Sequence, residues 1–246
     1  MTTTSSDLPT SSRNCEESLT TVISLGGSIV APDKPDVPFL KNFLAMSTAW
    51  LDGDSERRLI LVVGGGGPAR EWQRAYREAS RRADSDSQDW VGIMATRLNA
   101  QLVKALFGEL CPRDIVTDPT AVGVFPGRVL VAAGWKPGFS TDYDSVLLAE
   151  LFGADIIVNL SNIAKVYTAD PKLDPTAKPI DSIGWADFRA MVGDEWVPGK
   201  NVPFDPVASR RAQELGLRVI CAAGRDLPNL KAILEGRSFE GTLIGA

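Results

Sequence analysis

Two apolar strands that run straight into glycines constrain the fold of this chain more than any other feature. Residues 21–25 precede Gly26, Gly27 and Ser28, and residues 59–63 precede four consecutive glycines at 64–67. Such near-continuous apolar runs are typical of strands buried on both faces of a parallel sheet. Glycine after the strand lets backbone N–H groups close on an anion, because no Cβ stands in the way. One such turn indicates a phosphate site, and two indicate two phosphates brought together.

Strand and helix patterns alternate along the rest of the chain. This alternation predicts an α/β fold, a three-layer α/β/α sandwich with a mainly parallel sheet. A polar loop is expected at residues 84–89. The predicted helices cover 39–51, 69–83, 90–110, 142–152, 205–215 and 227–234. The further predicted strands cover 114–117, 129–133, 155–160, 217–222 and 241–244.

Composition limits the class of protein and its partners. With 246 residues, 44% of them hydrophobic, the chain is long enough for one substantial core, so we expect a single domain at 19–246. Residues 1–18 are rich in Thr and Ser and are expected to form a flexible tail. The net charge of -5 argues against nucleic acid as a partner. No apolar run reaches the roughly 20 residues of a membrane helix and no signal peptide is evident, so we expect no membrane partner and a cytoplasmic location.

The absence of histidine and of cysteine motifs restricts the chemistry available to the chain. Histidine is absent, which excludes catalytic triads built on that residue. The three cysteines, Cys15, Cys111 and Cys221, have no CxxC spacing, so neither a disulfide framework nor a zinc site is indicated. Backbone amides, Lys, Arg, Asp, hydroxyl groups and a metal remain.

The second glycine turn is the more specific of the two, because Arg70 follows it by about one helical turn. A guanidinium there can bind the same phosphate as the loop amides and the helix N-terminus. An ion pair of Arg70 with Glu71 or Glu78 is the alternative, and the first turn can equally be a tight turn into a packed helix. Neither turn is a Walker A loop or has the GxGxxG spacing of a dinucleotide fold.

Further motifs give the chain a family resemblance. Residues 89–100 (DWVGIMATRLNA), 140–142 (STD), 166–171 (VYTADP) and 204–208 (FDPVA) follow the two glycine turns in order. With those turns they resemble the amino acid kinase superfamily, in its uridylate kinase branch and nearer the archaeal-type members. The resemblance covers residues 21–245.

The resemblance implies transfer of a phosphoryl group from ATP to UMP, giving UDP, with Mg²⁺ as the cofactor of ATP. It also implies a homo-oligomer, a hexamer being one form. The implied ATP-binding residues are Gly26, Gly27, Ser28, Asn162, Tyr167 and Asp170. The implied UMP-binding residues are Gly65, Gly66, Arg70, Asp89, Ser140, Thr141 and Asp142.

Several polar residues that the resemblance implies also have a plain structural interpretation. Asp89 could cap a helix, and residues 140–142 have good capping chemistry. Tyr167 could be a core aromatic, and Asp170 could belong to an ordinary turn before proline. Asp205, which the resemblance implies as a residue that orients the catalytic cation or the metal, could cap the helix that follows it.

The chain departs from the family pattern in two places. Most amino acid kinases have a lysine two residues before the first glycine pair, where this chain has Ser24, although archaeal-type uridylate kinases can also lack it. Ala164 and Lys165 replace the usual Asp-Gly pair. Another cation must therefore assist phosphoryl transfer. We rank Lys136 first, Lys165 second and Lys200 third, an exposed surface lysine being the alternative interpretation for Lys165.

These departures keep two other functions open. The chain could be a kinase of the same superfamily with a different small acceptor. It could also be a non-catalytic nucleotide-binding or storage protein on the same scaffold. Aspartate kinase fits less well, because 246 residues leave no room for a regulatory domain.

Overall fold

The computed structural model of the chain describes residues 19–171, 173–193, 195 and 202–245. The predicted tail at residues 1–18 lies outside the described residues, and so does Lys200. Within the described ranges no helix has the length and apolar character needed to cross a membrane.

Seven strands form one sheet, in the order β3-β2-β1-β4-β8-β9-β7. All neighbouring pairs are parallel except β8 and β9. The long strands are continuous apolar runs, as burial by helices on both faces requires. The bounds are β1 Thr20–Leu25, β2 Arg58–Val63, β3 Val129–Ala132, β4 Ile156–Ser161, β7 Ser182–Ile183, β8 Arg218–Ala223 and β9 Thr242–Ile244, with a separate antiparallel pair of β5 Val166–Tyr167 and β6 Pro179–Ile180.

Helices cover both faces of the sheet, so the three-layer α/β/α prediction is confirmed. Alternate strand residues face opposite layers. Ile23 and Leu61 pack in one cluster with α2, α4 and α8, whereas Val22 and Ile60 pack in the other with α5, α6 and α7. The helices are α1 Gly27–Val30, α2 Val37–Asp52, α3 Gly66–Ala79, α4 Ser85–Phe107, α5 Thr141–Phe152, α6 Trp185–Val192, α7 Pro206–Leu215 and α8 Leu227–Leu234, with a 3-10 turn at Gly108–Leu110.

The strand order reverses between β1 and β4. From β1 the chain adds β2 and β3 on one side, and then crosses back to place β4 and β8 on the other. In open α/β sheets ligands bind at the carboxyl ends of the strands beside such a reversal. Both glycine turns lie at this edge, one after β1 and one after β2.

The boundaries around residues 66–89 differ from the prediction. Helix α3 covers Gly66–Ala79 and not 69–83, because Ser80 is already extended at φ -85 and ψ 134. The predicted polar loop at 84–89 is wrong: Asp84 caps α4 by accepting the Ser87 N–H at 2.8 Å. Asp89 therefore lies one turn inside α4 and is not its cap.

Several short elements also differ from the prediction. Residues 114–117 form no strand, since only Val116 bridges to Ala132 at the edge of β3. Helix α6 was missed because its eight residues hold little more than two turns of periodicity. The strands β5, β6 and β7 have two residues each, too few for an alternating pattern.

Candidate functional site

The two glycine turns, residues 26–28 and 64–67, touch each other. A Cβ on Gly27 would lie 2.1 Å from the Gly66 nitrogen and 2.5 Å from the Gly64 carbonyl carbon. A Cβ on Gly26 would lie 2.5 Å from the carbonyl oxygen of Leu160, at the end of β4. The glycines are therefore needed for close approach of three backbone segments, and not only for turning the chain.

Several backbone amides of these turns are available to a ligand. Among the described residues, no acceptor takes the N–H of Gly27, Ser28, Gly65 or Gly66, whereas Gly67 donates to Ala31. Gly66 and Gly27 are the first residues of α3 and α1 respectively, where helix N–H groups have no intrahelical acceptor, and Gly65 is the N-cap of α3. Gly66 has φ +65, a conformation that favours glycine. Free N–H groups from two adjoining turns suit two adjoining anions.

Asn99, in α4, holds the second glycine turn from behind. Its side chain is 4% exposed. Nδ2 donates to the carbonyl oxygens of Gly64 and Gly65, at 2.9 and 3.1 Å. The sequence motif contained this residue, but nothing in its spacing indicated the contact.

Arg70 extends from the first turn of α3 at the protein surface. Its Nη2 donates to the carbonyl oxygen of Pro32 at 3.4 Å. The alternative ion pairs are taken by Arg74, which lies 2.5 Å from Glu71 and 3.9 Å from Glu78. Within the described part of the chain Arg70 has no carboxylate partner, so its charge remains available at the second glycine turn.

The loop after β3, residues 134–140, is fastened to α4 by three side chains of that helix. The Gly134 N–H donates to Thr96 Oγ1 at 2.8 Å, and Arg97 Nη2 donates to the Trp135 carbonyl at 3.0 Å. The Gly138 N–H donates to Asp89 Oδ2 at 3.1 Å. One helix thus positions both this loop and the second glycine turn.

Lys136 lies against aromatic rings of the same loop. Its Nζ is 3.8 Å from the ring centroid of Trp135 and 5.1 Å from that of Phe139. Phe139 stands 5.0 Å from Trp135 and 5.0 Å from Tyr143, centroid to centroid. The ammonium makes no ion pair with the described residues; after the hydrogen bonds from Thr120 and Trp135, its charge also helps to lower the pKa of Asp118.

Ser24 and two aspartates meet at the end of β1. Ser24 is 3% exposed and its hydroxyl donates to Asp142 Oδ1 at 3.1 Å. The Asp205 N–H donates to Asp142 Oδ2, also at 3.1 Å. Burial, and then the neighbouring charge of Asp205, raise the pKa of Asp142 to about 6. The two carboxyl groups therefore form an acidic pair beside Ser24, the position at which most amino acid kinases have a lysine.

The N-termini of α5 and α7 carry the predicted caps. Ser140 caps α5 by accepting the Tyr143 N–H at 3.2 Å, and Thr141 is the first residue of that helix. Asp205 caps α7 by accepting the Ala208 N–H at 2.8 Å. Burial raises the pKa of Asp205, while hydrogen bonds from the α7 backbone and Ser140 oppose that rise. The capping interpretations of Ser140 and Asp205 are thus confirmed, and both caps stand at the sheet edge.

Asn159 anchors the segment before α7. It lies on β4 beside Ser24, and its Nδ2 donates to the Pro203 carbonyl at 2.8 Å. This bond sets the position of Asp205, two residues further on. A polar residue within an apolar strand was the only sequence signal for such a role.

Asp144 is a buried carboxyl group that the sequence interpretation missed. It is 1% exposed, Oδ2 accepts the Trp135 N–H at 3.2 Å, and Oδ1 has no partner among the described residues. Burial, followed by the charges of Asp142 and Asp118, raises its pKa to about 7. Its place in the sequence, two residues beyond the STD motif, gave no sign of burial.

The remaining predicted residues follow β4. Asn162 is exposed directly after the strand, and Tyr167, on β5, is partly buried rather than a core aromatic. The Asp170 carbonyl accepts the N–H groups of Leu173 and Asp174, as in the turn interpretation. Lys165 is ion-paired, with its Nζ 2.5 Å from Asp181 Oδ1. Its charge is therefore already engaged in an ion pair, whereas Lys136 forms none with the residues that the structure describes.

The chain is similar to uridylate kinases in sequence and in structure. The sequence profile of the amino acid kinase family matches residues 19–223. A uridylate kinase of Methanospirillum hungatei is 37% identical, over 92% of this chain and 94% of that protein. A uridylate kinase of Pyrococcus abyssi is 32% identical, over 91% and 98%.

Solved structures agree with these relatives. The crystal structure of a uridylate kinase from Archaeoglobus fulgidus has a TM-score of 0.78 at 29% identity, covering 91% of this chain and 99% of that one. A UMP kinase from Bacillus anthracis, 19% identical with a TM-score of 0.70, shares the fold. The predicted resemblance is confirmed: the chain belongs to the amino acid kinase family, in the branch that contains the archaeal uridylate kinases.

Proposed function

We propose that this protein is an ATP-dependent UMP kinase, which transfers the γ-phosphoryl group of ATP to UMP and gives UDP and ADP. The observation that carries the proposal is the contact between the two glycine turns at the sheet edge where the strand order reverses. In-line transfer requires two phosphates in contact, held by groups that stabilise their charge. The uridylate kinase relatives supply the identity of the acceptor.

The acceptor nucleotide is assigned to the second glycine turn and to the elements fastened by α4. The free N–H groups of Gly65 and Gly66 and the guanidinium of Arg70 would bind its phosphate. Asp89 uses Oδ2 for the Gly138 N–H, which leaves Oδ1 to accept from a ribose hydroxyl. Residues 140–142 close the site from the N-terminus of α5.

The donor nucleotide is assigned to the first glycine turn and the segment after β4. The free N–H groups of the turn would bind the β- and γ-phosphates. Asn162, Tyr167 and Asp170 would flank the nucleoside. The residues of the turn are Gly26, Gly27 and Ser28.

A cation from outside the glycine turns would stabilise the transferring group, because Ser24 cannot. Lys136 fits best, since its ammonium has no ion pair within the described ranges and stands on the loop held by α4. Lys165 fits less well because Asp181 neutralises it. Asp205 would orient the cation.

Magnesium ion fits this site as a partner of the phosphates. No group of three acidic, histidine or cysteine side chains among the described residues is arranged to hold a metal alone. Mg²⁺ in kinases takes only one or two carboxylates and completes its shell with phosphate oxygens and water. Asp142 and Asp205, which adjoin each other, would hold it. When bound, the ion offsets charge on the phosphates.

A coupled ADP-release assay tests the proposal, with Mg-ATP and a panel of UMP, CMP, dUMP, carbamate, acetylglutamate and isopentenyl phosphate. We expect turnover of UMP by the wild type. In Asp89→Ala the KM for UMP should rise about tenfold or more, because one charge-assisted hydrogen bond to the ribose is lost. The KM for ATP should hardly change. Turnover of another acceptor with none of UMP would refute the proposal.

Because the family lysine is missing, there is one alternative function, that of a nucleotide-binding protein without catalysis. Calorimetric binding of both ATP and UMP with no ADP formed would favour it. We also propose a cytoplasmic location and a homo-oligomeric state, as the family resemblance implies.

A further inference from the structure

Asn99 makes an unusual pair of hydrogen bonds. A single side-chain nitrogen donates to two consecutive backbone carbonyls, those of Gly64 and Gly65, at 2.9 and 3.1 Å. The Gly65 carbonyl also accepts the Ala69 N–H at 3.3 Å, as α3 begins. The Gly64 carbonyl has no other donor among the residues that the structure describes, so its direction depends on Asn99.

These bonds set the direction of the amides that face the ligand. In a planar trans peptide the carbonyl of one residue and the N–H of the next point in opposite directions. Carbonyls drawn toward α4 therefore turn the N–H groups of Gly65 and Gly66 away from it. The same two nitrogens lie 2.6 and 2.1 Å from a Cβ built on Gly27, so they stand on the side of the second turn that adjoins the first.

Four glycines in a row cannot hold this arrangement unaided. Glycine loses more conformational freedom on ordering than any other residue. Gly66 also adopts φ +65, so neighbouring peptides must be held in a specific sequence of conformations. A rigid, buried side chain on an adjacent helix provides the missing constraint.

We propose that Asn99 is a positioning residue for phosphoryl transfer, which aims the amides of Gly65 and Gly66 at the phosphate of the acceptor nucleotide. This inference rests on the proposed function and deepens it. Asn99 touches no substrate and acts through the turn. Its loss should weaken binding of the acceptor phosphate and leave the nucleoside contacts unchanged.

The test compares Asn99→Asp, which keeps the shape and removes both donors, with wild type. Asn229→Asp is the matched control, since Asn229 Nδ2 also donates to a backbone carbonyl, that of Glu240 at 2.7 Å, on α8. We expect the Kd of UMP to rise about tenfold or more in Asn99→Asp, with the Kd of uridine and the KM of ATP within about twofold. Asn229→Asp should bind UMP as wild type does. An unchanged Kd for UMP, or an equal loss for uridine, would overturn the inference.

A second measurement serves if Asn99→Asp does not fold, and it separates the two proposals. In wild type, inorganic phosphate should move the amide proton resonances of Gly65 and Gly66. Asn99→Ser fills less volume and keeps at most one donor. In this variant the chemical-shift change should be smaller at the same phosphate concentration. If UMP does not bind wild type while phosphate still shows this difference, the function is wrong and the role of Asn99 stands. Equal movement in both proteins, or none in wild type, would refute the role of Asn99.

Discussion

Ser24 illustrates how one residue changes the electrostatics of the whole site. A lysine at that position would place an ammonium against Asp142, whereas the serine hydroxyl supplies one hydrogen bond and no charge. Asp142 and Asp205 form no ion pair with a lysine or arginine among the described residues, and burial, then the charge of Asp205, raise the pKa of Asp142 to about 6. The compensating charge must come from the ligands and from a lysine outside β1.

Lys136 and Lys165 can be separated by substitution with methionine. Lys136→Met should lower kcat by about 10²-fold or more, because a preorganised charge near the transferring group is lost. Lys165→Met should lower it only a few-fold, since that ammonium already pairs with Asp181. Steady-state kinetics at saturating ATP and UMP measures both. A larger loss in Lys165→Met would reverse our ranking.

Asp144 should make the protein less stable as the pH rises. Its pKa in the folded state is about 7, above the value of 3.8 for a free carboxyl group. Its contribution is therefore fully present below about pH 4 and is lost as the pH rises through 7. Asp144→Asn mimics the protonated acid at every pH. Between pH 4 and 8 its free energy of unfolding should therefore fall by about 2 to 4 kcal/mol less than that of the wild type. Urea unfolding at both pH values measures it, and parallel pH profiles would contradict this expectation.

At the scale of elements, helix α4 positions two parts of the site. Its 23 residues fasten the loop after β3 through Thr96 and Arg97, and the second glycine turn through Asn99. The first glycine turn is fastened differently, by packing of Gly26 against β4 and of Gly27 against the second turn. The two turns therefore cannot move independently.

Gly27→Ala tests this coupling between turns. The added Cβ would meet backbone atoms of Gly64, Gly65 and Gly66 between 2.1 and 2.6 Å away, and backbone cannot yield as a flexible side chain can. We expect kcat/KM to fall about 10²-fold or more for both ATP and UMP, since small misplacements are costly in catalysis. Gly184→Ala is the control, because Gly184 has φ -70 and open space around its Cβ position. Loss for one substrate alone would show that the turns act separately.

At the scale of the molecule, one sheet carries two core layers. Phe43 packs with Phe39 and Phe107 on one face, and Phe188 packs with Trp185 on the other. The layers share every long strand, because successive residues of each strand enter opposite clusters. We expect them to unfold together, as the single predicted domain requires.

Phe43→Ala and Phe188→Ala should each destabilise the same unfolding transition by about 3 to 5 kcal/mol, the cost of a large cavity. Leu173→Ala, at a residue that is 84% exposed, should change it by less than about 0.5 kcal/mol. Denaturant unfolding followed by tryptophan fluorescence and circular dichroism measures these effects. A second transition that stays at the wild-type midpoint would contradict a single domain.

Much of this architecture was predictable because its causes are local. Residues 59–63 show a buried strand by composition alone, and α8 was predicted with the bounds that the structure has, Leu227–Leu234. The start of α4 was misjudged because its first turn is exposed and polar, so capping by Asp84 decides it rather than apolar periodicity. Asp144 could not be predicted as buried, because a carboxyl group in the first turn of a helix, four residues beyond its cap, is usually solvated.

The sequence by itself determined the layers, the two glycine turns and the family, since strand composition, helical period and turn chemistry act over a few neighbouring residues. Only the tertiary structure decided which side chains meet at the sheet edge. Ser24 and Asp142 are 118 residues apart in sequence, and Asn99 reaches Gly64 from 35 residues away. Such contacts depend on how β1, α4 and α5 cross the sheet, and no local pattern encodes a hydrogen bond between distant elements.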